Sequence, residues 1–156
     1  MKELKNLERW SNYIVKALLK ARSKNLLVGN VYDSNLSGAC AIGSFGLWEK
    51  AHLSGYKDVD FVFGCFKQKS KMLDHCWVIY KNKIIDPTHY QFDPFSKKSK
   101  IFDIQNEKFK PKIVGHKAID YALTWLQGQS PLNYEFIWKP RSCELQLTDY
   151  FYDEVF

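Results

Sequence analysis

One cysteine, one histidine and one aspartate occupy positions where they could perform nucleophilic chemistry. Cys40 ends the small-residue stretch "LSGAC" and directly precedes residues with helical periodicity. A thiol in the first turn of a helix is favoured as a thiolate, because unpaired backbone N–H groups and the positive end of the helix dipole lie beside it. A nucleophilic thiol also needs a base that a third group holds in place, and His75 and Asp86 are the candidates for these two roles.

The remaining cysteines fit a structural role better. Cys65 is expected on a buried strand face, and Cys76 is expected on the strand face opposite to His75, so we interpret both as structural. Cys143 follows "KPRS" in a stretch to which no element is assigned and stays a secondary candidate.

The other histidines are poor partners for Cys40. His52 lies twelve residues further along the same predicted helix, about 18 Å away, which is too far for a hydrogen bond. His116 begins a later helix without a carboxylate at a useful spacing. A zinc site is disfavoured, because its neighbouring candidate ligands would point to opposite strand faces; the four ligands considered are Cys65, His75, Cys76 and His89.

Periodicity predicts the elements that would position these residues. Apolar residues at steps of three and four predict helices, and β-branched and aromatic runs predict strands. The predicted helices span residues 2–21, 38–53 with Ser37 as N-cap, and 116–127, and the predicted strands span 59–66, 75–80 and the returning "IIDPT". The tail over 133–156 is expected to add strands.

The register of the hairpin decides whether His75 and Asp86 can meet. An even loop, either 81–82 or 80–83, places Trp77 opposite Asp86 and makes His75 and Asp86 diagonal neighbours on one face. An odd loop would move Asp86 to the other face. The alternative interpretation is a partly buried strand histidine beside an unrelated Asp-Pro turn.

Composition and charge limit the class of protein. With 156 residues and 46% hydrophobic residues, the chain is expected to form one domain over 1–156. It has no apolar run of about 20 residues and begins with a charged segment, so we expect a cytoplasmic protein with reduced thiols and no membrane partner. The net charge of +6 is scattered over many lysines, which makes nucleic acid an unlikely partner but favours an acidic one.

Three short motifs carry a family resemblance over residues 36–92. "GAC" at a helix start, "HCWV" on a strand and "IIDPT" on the next strand resemble, in this order, the transglutaminase-like group of the papain-like cysteine enzyme superfamily. The resemblance implies an α+β fold with a papain-like core, in which a helix bearing the nucleophile packs on an antiparallel sheet. It implies that Cys40 is the nucleophile, that His75 is the general base and then acid, and that Asp86 orients the imidazole, with Trp77 forming a wall of the cleft.

The same resemblance implies a polar group upstream of the cysteine on the oxyanion side. Asn35 and Tyr32, together with Asn30, are the candidates for this role and for contact with substrate.

The leading functional hypothesis is a thiol protease-like amide hydrolase. Its Cys-His-Asp triad would cleave a peptide or isopeptide bond of a peptide or protein substrate through an acyl-enzyme, with no cofactor and no metal. A glutamine deamidase or transglutaminase, or another acyltransferase such as one resembling the arylamine N-acetyltransferases, shares this intermediate and stays open. A non-catalytic binding module for an acidic partner is the alternative from another class.

Overall fold

The computed structural model describes residues 2–23, 39–93 and 95–129. Over these ranges the chain is α+β, as predicted, with helices covering an antiparallel sheet of strand order β4-β3-β2-β1-β5. None of the helices in these ranges is long and apolar enough to cross a membrane. The elements are α1 (Lys2–Ser23), α2 (Cys40–Leu53), β1 (Val59–Gln68), β2 (Lys71–Tyr80), β3 (Lys83–Asp86), a 3₁₀ turn (His89–Gln91), β4 (Lys100–Asp103), β5 (Phe109–Val114) and α3 (His116–Gln129).

Helix α2 begins at Cys40, two residues later than predicted. Ala39 is its N-cap and provides no side-chain hydrogen bond, so the prediction of Ser37 as N-cap is wrong. Polar capping therefore does not fix the start of this helix. The start of α2 is set by packing instead, because Ala39 and Cys40 are both buried in the core.

Gly43 shows how closely α2 approaches the end of β3. A Cβ atom at this position would lie 2.9 Å from the Thr88 Cγ2 and 3.2 Å from the Leu18 Cδ1. The first turn of α2 thus rests directly on the residues that follow β3, while α1 holds it from the other side. A glycine inside a helix costs about 1 kcal/mol relative to alanine, and here it permits this close contact.

The hairpin between β2 and β3 has the even register. Val78 pairs with Ile85 and Tyr80 with Lys83, which leaves a two-residue loop at 81–82. Continued beyond the last pair, this register sets Trp77 opposite Asp86 and Cys76 opposite Pro87. Pro87 has no N–H to give to a ladder, and β3 ends directly before it.

The sheet carries two apolar clusters of unequal size. All three helices pack on one face and form the main core with residues of β1, β2 and β3, including Phe61, Cys76 and Ile85. The opposite face carries a smaller cluster without helical residues, made of Val62, Phe66, Trp77, Ile84 and Phe109. Because strand side chains alternate between faces, neighbouring residues of β2 contribute to different clusters.

The observed strands and helices differ from the predicted ones in number and in length. β1 and β2 extend as an exposed ladder to Gln68 and Lys71, and α3 continues to Gln129 rather than ending at 127. β4 and β5 were not predicted, because β4 has only four residues and β5 contains two lysines and Pro111, which lies at an irregular pairing with β1. The predicted strands in 133–156 lie outside the described residues.

Candidate active site

His75 and Asp86 form a buried ion pair on adjacent strands. His75 Nε2 donates to Asp86 Oδ2 at 2.7 Å, and both side chains are 0% exposed. This is the contact that the even register predicted. Because the Nε2–H is directed to the carboxylate, Nδ1 is the ring nitrogen that can accept a further proton.

The turn after β3 wraps around the carboxylate of Asp86. Its Oδ2 also accepts a hydrogen bond from His89 Nδ1 at 3.0 Å, and its Oδ1 accepts one from the Thr88 backbone N–H at 3.1 Å. A buried carboxylate needs such partners to stay charged. Burial alone would raise the pKa of Asp86, but the charge of His75 and the hydrogen bonds from His75 and His89 lower it to about 2.

Cys40 lies at the first position of α2 and is 4% exposed. A hydrogen bond from the Cys76 thiol makes the largest contribution to lowering its pKa. Burial opposes this effect, but a hydrogen bond to His75, the charge of His75 and the backbone N–H of Cys76 hold the pKa of Cys40 well below its usual value. Since His75 Nε2 is bonded to Asp86, we assign the hydrogen bond with Cys40 to Nδ1.

Cys76 is therefore more than the structural thiol expected from the sequence. Its side chain is in the helix-side core, as its strand face predicted, but there it faces Cys40. Burial raises the pKa of Cys76, and the hydrogen bond and charge of Cys40 raise it further, so this thiol stays protonated and donates. Cys76 lies opposite Pro87, just past the end of β3. Its backbone N–H therefore lies at an interrupted strand edge, where it can reach the sulfur of Cys40.

His75 is the positively charged partner of Cys40. Burial by itself would lower the pKa of His75, but the charge and hydrogen bond of Asp86, followed by the hydrogen bond and charge of Cys40, raise it to about 10. The lowered pKa of Cys40 and the raised pKa of His75 both favour a thiolate–imidazolium pair. Such a pair is the reactive form of a nucleophilic cysteine.

Gln91 is a further polar group at His75. Its Nε2 lies 2.9 Å from His75 Nδ1 and 3.5 Å from the Thr88 Oγ1. It ends the 3₁₀ turn that starts directly after Thr88, and its backbone N–H donates to the Thr88 carbonyl at 3.0 Å.

Aromatic rings enclose the two histidines on the face opposite to the helices. Phe92 lies edge-on to His75 with ring centroids 4.8 Å apart, and Phe66 lies edge-on to His89 at 5.2 Å. Trp77 is 1% exposed, and it fits because Gly64 leaves room: a Cβ there would come 2.6 Å from its ring. The apolar enclosure excludes water from the ion pair and strengthens it.

The other predicted site residues have varied positions. Trp77 lies beside His75 with ring centroids 6.0 Å apart, on the same sheet face, and its contact with substrate stays a prediction. Asn35 and Tyr32, like Asn30 and Cys143, lie outside the described residues. His52, at the far end of α2, contacts the backbone carbonyl of Val59 at 2.8 Å.

His89 and Gln91 were missed as partners of the site. The signal that could have found them is "DPTHYQ", in which a turn-forming Asp-Pro precedes polar residues that a tight turn brings back to the strand end. Within the ranges 2–23, 39–93 and 95–129, no three histidine, cysteine or acidic side chains are arranged to hold a metal ion.

Comparisons of the chain with protein-family models, with curated proteins and with solved structures find no match.

Proposed function

We propose that the chain is a cysteine-dependent acyl-transfer enzyme that hydrolyses an amide bond through Cys40, His75 and Asp86. The observation that carries the proposal is the buried 2.7 Å contact between His75 and Asp86, whose geometry leaves Nδ1 for the thiol at the start of α2. A fully buried, charged histidine–aspartate pair is costly to maintain without a function for the imidazole.

The roles of the three residues follow from their contacts. The Cys40 thiolate attacks the carbonyl carbon, a carbon–sulfur bond forms, and an electron pair of the carbonyl moves to its oxygen. As this intermediate collapses, the carbon–nitrogen bond breaks and His75 Nδ1 gives its proton to the leaving nitrogen. Water then attacks the thioester while His75 takes its proton, and Cys40 leaves as the thiolate. Asp86 holds the ring by Nε2 and stabilises its charge.

The resemblance to the papain-like and transglutaminase-like enzymes is part of the proposal. A helix that starts with the cysteine packs on an antiparallel sheet whose successive strands provide the histidine and the aspartate. This arrangement supports a papain-like core. The substrate we propose is a peptide or protein, and the net charge of +6 favours an acidic one. Location in the cytoplasm stays a prediction, supported by the free thiols of Cys40, Cys65 and Cys76.

The test is to trap the acyl group on the thiol. The purified chain is incubated with p-nitrophenyl acetate, quenched in acid and digested, and the acetylated peptide is located by mass spectrometry. We expect a single acetyl group on Cys40 and a burst of nitrophenolate equal to the enzyme concentration. The Cys40→Ala variant should show neither, while Cys65→Ala should show both. Acetylation spread over lysines without a burst would contradict the proposal.

The same thioester separates hydrolysis from the alternative acyl transfers. With a glutamine-containing protein such as casein, release of peptides indicates hydrolysis of the backbone. Release of ammonia, or incorporation of a primary amine such as cadaverine, indicates deamidation or transglutamination instead. A chain that acetylates at Cys40 yet processes no protein under any of these assays would still retain the acyl-enzyme chemistry but not the proposed substrate class.

A further inference from the structure

The ladder of β1 and β2 extends beyond the N-terminus of helix α2. The C-terminal end of α2 lies at Val59, and its first residue, Cys40, lies at Cys76. The paired residues 65–68 of β1 and 71–74 of β2 continue the sheet past that point, away from the C-terminal end of the helix. A substrate that approaches Cys40 from the N-terminal side of α2 therefore meets this part of the ladder.

Three lysines from two distant parts of the sequence lie together on the helix-side face of this ladder. Because side chains alternate along a strand, Lys67 shares the face of Phe63, which belongs to the helix-side core. Lys110 of β5 is the register partner of Cys65, on that same face. Lys112 completes the set, with its Nζ 5.9 Å from the centre of the Phe63 ring. All three lysines are exposed, and we call them the lysine surface.

The lysine surface carries an excess of positive charge. Asp74 lies on the same face, and its Oδ1 is 3.7 Å from the Lys112 Nζ. Lys67 and Lys110 form no ion pair with any other described residue. Like charges on adjacent strands repel each other, so a ligand that places carboxylates between them gains favourable electrostatic energy.

We propose that the lysine surface binds an acidic stretch of the peptide substrate, and so selects peptides with carboxylates a few residues from the amide that Cys40 attacks. This inference rests on the proposed amide chemistry at Cys40. Asp74, the partner of Lys112, precedes Cys76 by two residues, which is about 7 Å along the strand. Lys67 lies two residues further, at about 14 Å, and an extended peptide covers these distances with about two to four residues.

The composition of the lysine surface favours carboxylates over nucleic acid. Arginine provides the planar fork that binds phosphate in a bidentate way, and the three arginines of the chain, at positions 9, 22 and 141, all lie outside β1, β2 and β5. A peptide offers both the carboxylates and the amide that the neighbouring thiol attacks. One acidic peptide can therefore occupy the lysine surface and the site together.

The test measures binding without turnover, in the full chain carrying Cys40→Ala. The probe is a fluorescein-labelled peptide with a central glutamine and with glutamates within about four residues on both sides, and the control peptide has glutamine in place of every glutamate. We expect the Kd of the acidic peptide to rise by at least about tenfold in Lys67→Glu/Lys110→Glu. The matched control is Lys97→Glu/Lys98→Glu, which makes the same change of charge at two exposed lysines outside the ladder and should raise the Kd by less than about threefold.

Three outcomes would overturn the inference. These are equal weakening in the two double variants, equal binding of the acidic and the control peptide, and binding of a single-stranded oligonucleotide that is tighter than that of the acidic peptide. Circular dichroism and the melting temperature establish that each variant is folded. Lys67→Gln/Lys110→Gln is a second variant, which removes the charges without reversing them and should weaken binding by an intermediate factor.

A separate measurement distinguishes this inference from the proposed function. With Cys40 intact, Lys67→Glu/Lys110→Glu should be acetylated by p-nitrophenyl acetate at the rate of the unaltered chain, because this small ester carries no carboxylate for the lysine surface to bind. If the unaltered chain is not acetylated at Cys40 while the lysine variant alone loses the acidic peptide, the proposed function fails and the lysine surface remains a binding site for acidic peptides.

Discussion

The two ends of helix α2 carry the two residues with the most obvious chemistry on that helix, and only one end forms a site. At the C-terminal end, His52 contacts the backbone carbonyl of Val59 and packs against Trp48 at a tilt of 40°, with ring centroids 4.5 Å apart. At the N-terminal end, Cys40 meets an imidazole that is itself held by a buried carboxylate. The two ends differ in their partners. A neutral backbone carbonyl contacts the ring of His52, whereas the His75–Asp86 pair lowers the pKa of the Cys40 thiol.

The location of each end on the sheet explains these partners. The C-terminal end lies at the start of β1, where Val59 has its ladder partner Tyr80. The N-terminal end lies where β3 has just ended at Asp86, so the edge of β2 at Cys76 is open to Cys40. Cys40 therefore meets Cys76 at an interrupted strand edge, whereas His52 contacts Val59 where the sheet is continuous.

The largest expected effect is on the pH dependence of stability, because His75 and Asp86, at the Cys40 end of α2, both have strongly shifted pKa values. The raised pKa of His75 stabilises the fold below about pH 6.5, and this contribution is lost as pH rises toward about 10. The lowered pKa of Asp86 stabilises the fold above about pH 3.9, and this contribution is lost as pH falls toward about 2. Both contributions are complete between about pH 4 and 6.5.

We therefore expect Asp86→Asn to lose about 3–5 kcal/mol of unfolding free energy near pH 5.5 and to show a flatter curve of stability against pH. Urea unfolding at a series of pH values measures both. Leu53→Ala, at the other end of α2, removes no titratable group from an exposed position and should leave the shape of the curve unchanged. An Asp86→Asn curve parallel to that of the unaltered chain would contradict the charged pair.

The next effect concerns the reactivity of the thiol. In His75→Gln, alkylation of Cys40 by iodoacetamide at pH 6 should slow by about 10- to 100-fold, because the thiol loses its positive partner and its pKa rises. The rate in His52→Gln should stay within about twofold of the unaltered chain. Equal slowing in the two variants would mean that the two ends of α2 do not differ in the way the structure indicates.

A smaller effect is expected from the packing that holds the N-terminal end of α2. Gly43→Ala places a methyl group 2.9 Å from the Thr88 Cγ2, so we expect a loss of about 1–3 kcal/mol despite the better helix propensity of alanine. Leu53→Ala, at the opposite end, removes a side chain that is 64% exposed and should cost about 0.5 kcal/mol or less. Thermal unfolding compares the two, and a Gly43→Ala chain as stable as the parent would disprove the close approach.

The smallest effect separates the two other described thiols. Cys76→Ala removes the donor to Cys40 and should raise the pKa of Cys40, slowing its alkylation at pH 6 by about fivefold, as expected for one hydrogen bond of about 1 kcal/mol. Cys65→Ala should have no such effect, because the Cys65 thiol faces Asp74, with its Sγ 3.6 Å from Oδ1. A pKa of Cys40 that is unchanged by Cys76→Ala would remove Cys76 from the site.

The elements that bring the site together were largely predictable from local sequence. The returning strand was predicted, and the loop before it left an even and an odd register open, of which the structure has the even one with its loop at 81–82. The same alternation placed His75 and Cys76 on opposite faces. These features depend on steric rules that act within a few residues.

The contacts between distant elements were not predictable in the same way. The contact of Cys76 with Cys40 depends on how α2 lies across the edge of β2. The contact of Gln91 with His75 depends on a 3₁₀ turn that follows a strand. The start of α2 follows from tertiary packing rather than from Ser37. β4 and β5 are short edge strands whose apolar pattern is weak, because few of their side chains are buried.

The central claim is that Cys40 and His75 form a thiolate–imidazolium pair, and the rate of iodoacetamide alkylation of each thiol against pH tests it most directly. Isotope-coded labelling with peptide mass spectrometry follows Cys40, Cys65 and Cys76 in one sample of the folded chain. The account predicts that alkylation of Cys40 is already fast at pH 6 and faster than that of Cys65 or Cys76, and that Cys76, whose pKa is raised by burial and by Cys40, is the slow thiol of the Cys40–Cys76 pair. Alkylation of all three thiols that is slow at pH 6 and rises together near pH 8.5 would contradict it.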